Sequence, residues 1–300
     1  MLWPTHAQVA ELPHGNPACI GTLALFHLPL SPAGLAVPLN WPNRLWLVRH
    51  GQSAGNVARD EAHALKAPLI ALTARDADVP LSDLGEEQSR ALGRWLAGQP
   101  EDERPDVVLV SPFRRARQTA ALIRESGGVA AATLPDSVDE RLREKEFGIL
   151  DGLTTLGIAA EHPAQAEFRR LLGKFYHRPP GGESWADVIL RLRSALDTLS
   201  LHYAGRRVMI VSHQVVVLCL RYLLENLDEE RILAIDREGD IANCGLTEYR
   251  CEETLEAQGS AGARMVLARY NFTVPLQEAG TPVTRQRDAK PAAVTPVAGE

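Results

Sequence analysis

Two histidines, His50 and His213, each stand at the end of a short apolar run, and Arg49, Arg115, Ser111 and Asn56 occupy or follow the ends of such runs. These residue types suit one chemistry. A neutral imidazole can attack phosphorus, guanidinium groups match phosphate oxygens as two-pronged donors, and a hydroxyl and a carboxamide add neutral hydrogen bonds. The set is therefore fitted to a phosphoryl group, provided that the fold brings these distant positions into one cleft.

The apolar pattern says which elements must do that. Arg44–Val48, Asp106–Val110 and Arg207–Val211 are runs of strand length that end at Arg49 and His50, at Ser111, and at Ser212 and His213. After the second run, Ser111 is expected as an N-cap and Pro112 as a first helical residue. They would open a helix over Phe113–Arg124 whose positive end faces the same region. Asp83 with Glu86 opens another helix, with Leu84, Ala91, Leu92, Trp95 and Leu96 on its apolar face. Ser184 with Asp187 opens a third, carrying Trp185, Val188, Ile189, Leu192, Leu196 and Leu199, and Gly205 closes it. Strands alternating with helices predict an α/β fold, a three-layer sandwich with a mostly parallel central sheet and helices on both faces. Ligands of such sheets bind beyond the carboxyl ends of the strands, which is where these side chains lie. Cys244–Arg250 and Met265–Phe272 read as further strands near a sheet edge, joined by a polar loop over 252–264.

Composition excludes several other classes. With 300 residues, 45% of them hydrophobic and 23% charged, the chain can bury one large core and is not disordered as a whole. Its 38 acidic and 32 basic residues leave a net charge of −6, so no global positive field is available for nucleic acid. That average still permits a local basic pocket for a small anion. Cys19, Cys219, Cys244 and Cys251 include no C-x-x-C pair, and neither a disulfide framework nor a zinc site is expected. No apolar run reaches the ~20 residues of a spanning helix. No basic residue precedes the proline-broken stretch 19–30, so a secretory signal is a poor fit and a cytoplasmic location is expected, without membrane partners. Prolines at 4, 13, 17, 29, 32, 38 and 42 make residues 1–43 an appended arm. From Leu276 onward there is no aromatic residue and the charges are mixed, which predicts a disordered tail over 276–300 and leaves 44–275 as the domain.

Arg49-His50-Gly51-Gln52-Ser53-Ala54-Gly55-Asn56 resembles the R-H-G-x-S-x-x-N signature of the histidine phosphatase superfamily, the phosphoglycerate mutase-like fold. Other motifs follow in the family's order. Ser111-Pro-Phe-Arg-Arg115-Ala-Arg-Gln-Thr119 is similar to S-P-L-x-R-A-x-x-T, which places the phosphate-binding arginine at Arg115 rather than Arg114. Leu142-Arg-Glu144-Lys-Glu-Phe-Gly148-Ile-Leu-Asp151-Gly152 is similar to L-x-E-x-x-x-G-x-x-[DE]-G, which places an acid at Glu144 rather than Glu146. Gly181-Gly-Glu183-Ser184 resembles the G-E-S element, and Val211-Ser-His213 the second-histidine motif. Five ordered motifs, each at an expected strand end or helix start, make a specific signal.

The resemblance implies a role for each residue. His50 attacks phosphorus and becomes phosphohistidine, while Arg49, Arg115 and His213 surround the equatorial oxygens. Glu144 protonates the leaving group and then activates water, a task that needs a raised carboxyl pKa. Asn56, and with it Ser53, contacts the phosphoryl group. No cofactor and no metal is implied, because the arginines compensate the charge that Mg²⁺ handles elsewhere. Only residues 153–180 separate the Glu motif from G-E-S, shorter than the lid of the cofactor-dependent mutases, which favours hydrolysis over transfer. Gln214, and the stretch containing Tyr176 and Arg178, are similar to the bisphosphatase domains that act on fructose 2,6-bisphosphate, so these three are expected at the substrate. Segments 57–80 and 153–180 are expected to form a small cap over the C-terminal strand ends.

The leading expectation is a metal-independent phosphomonoesterase acting on a small phosphorylated metabolite. A cofactor-dependent phosphoglycerate mutase is the second enzyme reading. From a different class comes a non-catalytic regulator that binds a phosphorylated ligand, against which the retention of an acid at Glu144 speaks. Oligomeric state is not legible in the sequence.

Overall fold

A computed structural model describes residues 40–133, 135–255 and 261–285 of the chain. Its elements in order are β1 (Arg44–Arg49), α1 (Ala54–Ala64), α2 (Asp83–Ala97), β2 (Val107–Val110), α3 (Arg114–Glu125), β3 (Ser137–Val138), α4 (Thr155–Glu161), α5 (Pro163–Tyr176), α6 (Trp185–His202), β4 (Arg207–Ser212), α7 (Gln214–Leu224), α8 (Glu229–Glu238), β5 (Leu246–Leu255), β6 (Ala261–Phe272) and α9 (Val274–Glu278). The six strands form one sheet in the order β3-β2-β4-β1-β5-β6. The first four run parallel, and β5 and β6 add an antiparallel edge. This is the expected α/β architecture with a mostly parallel sheet.

Successive strand side chains point to opposite faces, so each apolar run feeds two cores at once. Leu45, Leu47, Val208 and Ile210 join Trp185, Val188, Leu192 and Leu199 of α6 and the apolar residues of α7. Trp46, Val48, Met209 and Val211 join Leu92 and Leu96 of α2 and Ala116, Ala120 and Ile123 of α3. α7 is buried along Gln214–Arg221, which is why its sequence is apolar on every side rather than striped. Ser184 caps α6 in a reciprocal box with Asp187, as the sequence predicts.

The two segments expected to form a cap, 57–80 and 153–180, are tied to each other. Leu69 and Leu153 form an antiparallel bridge, Ile70 N donates to Gly152 O at 2.8 Å, and Thr154 N donates to Pro68 O at 2.9 Å. The first segment carries the end of α1, whose start lies within the Arg49–Asn56 motif itself.

Several expectations are corrected. The 276–300 tail does not begin at Leu276, which lies in α9 and is fully buried; Val283 also packs against the α2–α3 core. Local composition missed this because two apolar side chains suffice to anchor a short segment on a preformed groove. Residues 286–300 lie outside the described residues, as does the arm expected over 1–43 up to residue 39. Trp41, at the end of that arm, packs against the α6–α7 core. The strands near the sheet edge extend further than expected, β5 to Leu255 and β6 from Ala261, because the polar residues placed in a loop pair as a hairpin. Ser82, not Asp83, caps α2. Ser111 is not the N-cap of α3, which starts at Arg114 after an N-cap at Phe113; its hydroxyl lies two residues further out, where it accepts from Phe113 N at 3.3 Å and shares a hydrogen bond with His213. Among the described residues, no helix is long and apolar enough to cross a membrane. Cys219, Cys244 and Cys251 are free thiols.

Candidate active site

The parallel pairing of β1 with β4 sets Arg49 opposite Ser212, so the residues that follow, His50 and His213, emerge side by side. Their ring centroids are 5.1 Å apart. His50 Nδ1 donates to its neighbour's carbonyl, Gly51 O, at 2.7 Å. This fixes the neutral tautomer with the lone pair on Nε2, which in turn accepts from Arg115 Nε at 3.3 Å. Burial, reinforced by the charges of Arg115 and Arg49, holds the His50 pKa well below its ordinary value. The ring is therefore neutral, with its lone pair on Nε2. His213 is likewise held neutral by burial, then by Arg115, His50 and Arg49, and its Nε2 shares a 2.8 Å hydrogen bond with Ser111 Oγ.

Gly85 permits the approach that places this loop: a Cβ there would meet Gln52 O at 1.9 Å. α2 can thus press against the residues that follow His50. Arg49 is buried and donates through Nη1 to Ile241 O. Arg115 lies in the first turn of α3, buried beside His50.

Asp76 is the first of two residues that sequence reasoning missed. Arg115 Nη1 donates to Asp76 Oδ1 at 2.9 Å and Nη2 to Asp76 Oδ2 at 3.1 Å, while Nη1 also reaches the Asp76 carbonyl at 2.5 Å. A carboxylate from the 57–80 segment thus occupies the two-pronged face of the Arg115 guanidinium. The only local signal was an acidic residue within a segment read as a cap.

Asn56 and Ser53 form the capping box of α1. Asn56 Oδ1 accepts from Ser53 N at 3.0 Å and Ser53 Oγ at 3.1 Å, and Ser53 Oγ accepts from Asn56 N at 3.1 Å. Ser53 is therefore a buried cap whose hydroxyl orients Asn56. A second missed residue, Asn243, donates from Nδ2 to His50 O at 3.1 Å and to Asn56 Oδ1 at 3.3 Å.

Glu144 comes from a loop clamped at its backbone. Arg191 donates to the carbonyls of Arg141, Arg143 and Glu144, and its guanidinium pairs with Glu183, which also accepts from Glu146 N at 3.1 Å and Arg143 Nη2 at 2.8 Å. The glutamate of the G-E-S element is thus the anchor of the acid loop. Gly148 is required there, with φ +56° and a hypothetical Cβ only 2.1 Å from Pro180 O. Burial raises the Glu144 pKa against the opposing pull of its hydrogen bond from Lys145 N and the charges of Arg115 and Arg49. The same two arginines thus act on His50, His213 and Glu144, which marks one shared cluster.

Three expected residues are not placed in that cluster. Burial alternates from Phe175 to Pro179, so Phe175, His177 and Pro179 turn inward while Tyr176 and Arg178 turn to solvent. Tyr176 is 56% exposed, and Arg178, its side chain 63% exposed, is bound to Asp187. Gln214 sits immediately after His213 but donates to Asp240 Oδ1 at 2.8 Å. A cavity of about 920 Å³ is lined by Arg59, Lys145, Phe147, Ile158, Arg169 and His177 among others; it reaches Lys145 and Val215, close in sequence to Glu144 and His213, but none of Arg49, His50, Arg115, Glu144 and His213 lines it. Lys145 is nearly fully buried; burial, with Arg169, lowers its ammonium pKa to about 8. Among the described residues no group of three or more His, Cys, Asp and Glu side chains is placed to hold a metal ion.

Paired imidazoles and guanidinium groups at the carboxyl edge of a mostly parallel sheet, with an acid held beside them, define a phosphate-handling α/β protein of the histidine phosphatase type. The chain belongs to the histidine phosphatase superfamily (branch 1), whose family model matches residues 45–257. It is 31% identical over 194 residues to a 2,3-bisphosphoglycerate-dependent phosphoglycerate mutase of Methylorubrum populi, covering 64% of this chain and 84% of that one. It is 28% identical over 213 residues to a probable phosphoglycerate mutase of Yersinia enterocolitica, covering 70% and 86%. A solved mycobacterial glucosyl-3-phosphoglycerate phosphatase in complex with inorganic phosphate superposes with a TM-score of 0.56 at 26% identity, covering 78% of this chain and 99% of that one.

Proposed function

We propose that the chain is a metal-independent phosphomonoesterase that hydrolyses a small phosphorylated metabolite through a phosphohistidine on His50. The observation that carries this reading is the His50 ring itself: buried, kept neutral, with Nδ1 tied to Gly51 O and the Nε2 lone pair turned to Arg115. Nε2 would form a bond to phosphorus as the ester oxygen leaves, and that oxygen would take the proton from Glu144. A water would then attack the phosphohistidine, return its proton to the Glu144 carboxylate, and release inorganic phosphate with His50 neutral again. Arg49, Arg115 and His213 would hold the equatorial oxygens, and the Asn56 carboxamide would add a hydrogen bond. The cavity that includes Lys145 and Val215 in its lining offers space for the remainder of the substrate.

Two features favour hydrolysis: the short segment 153–180, which forms only α4 and α5 before the G-E-S element, and the likeness to a phosphatase structure. The sequence likeness to named mutases supports phosphoglycerate mutase as the second reading. The test is phosphate release from an aryl phosphate in the presence of EDTA, with intact-mass detection of the phosphoenzyme after an alkaline quench, since a phosphohistidine survives in base and hydrolyses in acid. Full activity in His50→Ala would overturn the proposal. Interconversion of 3- and 2-phosphoglycerate that outpaces phosphate release, and that depends on a bisphosphoglycerate primer, would replace it with the mutase reading.

A further inference from the structure

The segment 281–285 lies outside the part of the chain that matches the family, and it reaches the nucleophile loop through a closed set of hydrogen bonds. Asn243 N donates to Thr284 O at 3.0 Å, and Ala242 bridges Arg285 in antiparallel fashion. Thr284 Oγ1 donates to Asn243 Oδ1 at 2.9 Å and accepts from Gln88 Nε2 at 2.9 Å. Gln88 Nε2 also donates to Pro282 O at 2.9 Å, and Gln88 Oε1 accepts from Gln52 N, two residues after His50, at 2.9 Å. On the other side, Asn243 Nδ2 donates to His50 O and Asn56 Oδ1. Gln88 and Asn243 are almost completely buried, so their amides have no bulk water to fall back on.

We propose that Thr284 is a positioning residue for the nucleophile: its single hydroxyl orients Asn243 and Gln88, and these two amides hold the backbone on both sides of Gly51. An oxygen that donates to Asn243 Oδ1 forces Nδ2 toward His50 O and Asn56 Oδ1. Asn56 Oδ1 then receives three donors, which turns its own Nδ2 away from them. The nucleophile's main chain and the orientation of a proposed phosphate ligand therefore depend on one hydroxyl more than two hundred residues away in sequence. Displacements of an ångström or less at a reacting centre carry large kinetic effects, so the loss expected without this hydroxyl is about tenfold or more in kcat.

This inference rests on the reading of His50 as nucleophile, and the test separates the two. In the full chain, Thr284→Val removes the hydroxyl at nearly constant shape, Thr284→Ser retains it, and Thr281→Val is a neighbouring control. Each is compared with wild type and His50→Ala for kcat and KM on an aryl phosphate, for orthovanadate binding by calorimetry, and for Tm. The expected result is a loss of about tenfold in kcat for Thr284→Val, with weakened vanadate binding, recovery to near wild type in Thr284→Ser, and no effect of Thr281→Val. Equal impairment of the Val and Ser variants, or a Val variant within about twofold of wild type in both kcat and vanadate affinity, would overturn it. Full activity in His50→Ala sinks the phosphatase reading instead, and the vanadate comparison still decides the role of Thr284.

Discussion

Asp76→Asn removes a charge from the cap while keeping the side chain's shape, and its consequence can be worked from the Arg115 fork. The carboxylate accepts from Arg115 at 2.9 and 3.1 Å, and the Arg115 side chain is only 6% exposed. Hydrogen bonds to charged groups contribute roughly 1.5–3 kcal/mol. Asp76 is itself 42% exposed, so solvent screening reduces the interaction to about 1–2 kcal/mol. A phosphate that binds the same fork must first displace the carboxylate. At about 1.4 kcal/mol per factor of ten, neutralising Asp76 strengthens phosphate binding by about five- to thirtyfold. The assay is competitive inhibition of aryl phosphate hydrolysis by inorganic phosphate at fixed ionic strength, with Asp78→Asn as a control because Asp78 pairs with the exposed Arg75. The expected result is a fall in both the phosphate inhibition constant and KM for Asp76→Asn alone. An inhibition constant that is unchanged or weaker would refute the reasoning, since it would mean that the carboxylate supports phosphate binding rather than competing with it.

Glu144→Gln cannot donate the proton of a carboxylic acid, so hydrolysis of an alkyl phosphate is expected to fall by about 10²–10⁴-fold, whereas formation of the phosphoenzyme from a nitrophenyl phosphate, whose leaving group needs little protonation, falls far less; equal losses in the two reactions, measured by rapid quench, would remove Glu144 from the acid role. Burial holds His50 and His213 neutral and so depresses their folded-state pKa values, whereas the unfolded chain takes up their protons below about pH 6.5. Their contribution to stability is thus present above that pH and is lost as pH falls, by up to about 1.4 kcal/mol per pH unit for each; denaturant melts of wild type and His213→Gln across that range should show a shallower pH slope in the variant. Arg178→Ala is expected to leave the ranking of phosphorylated substrates unchanged, since its partner is Asp187 at the surface, and a reordered ranking in a substrate panel would return Arg178 to the site.

The main features of the fold were legible in the sequence because they are local. Three short apolar runs predict three buried strands, and the residue that ends each run is necessarily at the strand's carboxyl edge. That places Arg49, His50, Ser111 and His213 in a shared region before any tertiary contact is known, and the capping pattern of α6 is equally local. The alternation that buries His177 and exposes Arg178 was also present in the chain, but whether residues 175–179 continue α5 or leave it depends on a break at Gly173 with φ +75°.

The sequence by itself determined the α/β class, the strand ends and the motif residues, since periodicity and capping act over a few neighbouring positions. Only the tertiary structure decided that Asp76 covers Arg115, that Glu183 anchors the acid loop through Arg191, and that Thr284 reaches the nucleophile through Asn243. Each of these contacts joins segments whose separation is set by the crossovers of the sheet and by the path of the loops between its elements. A polar side chain carries the same local signature whether its partner is water or a buried amide, and the packing of distant elements decides which it meets.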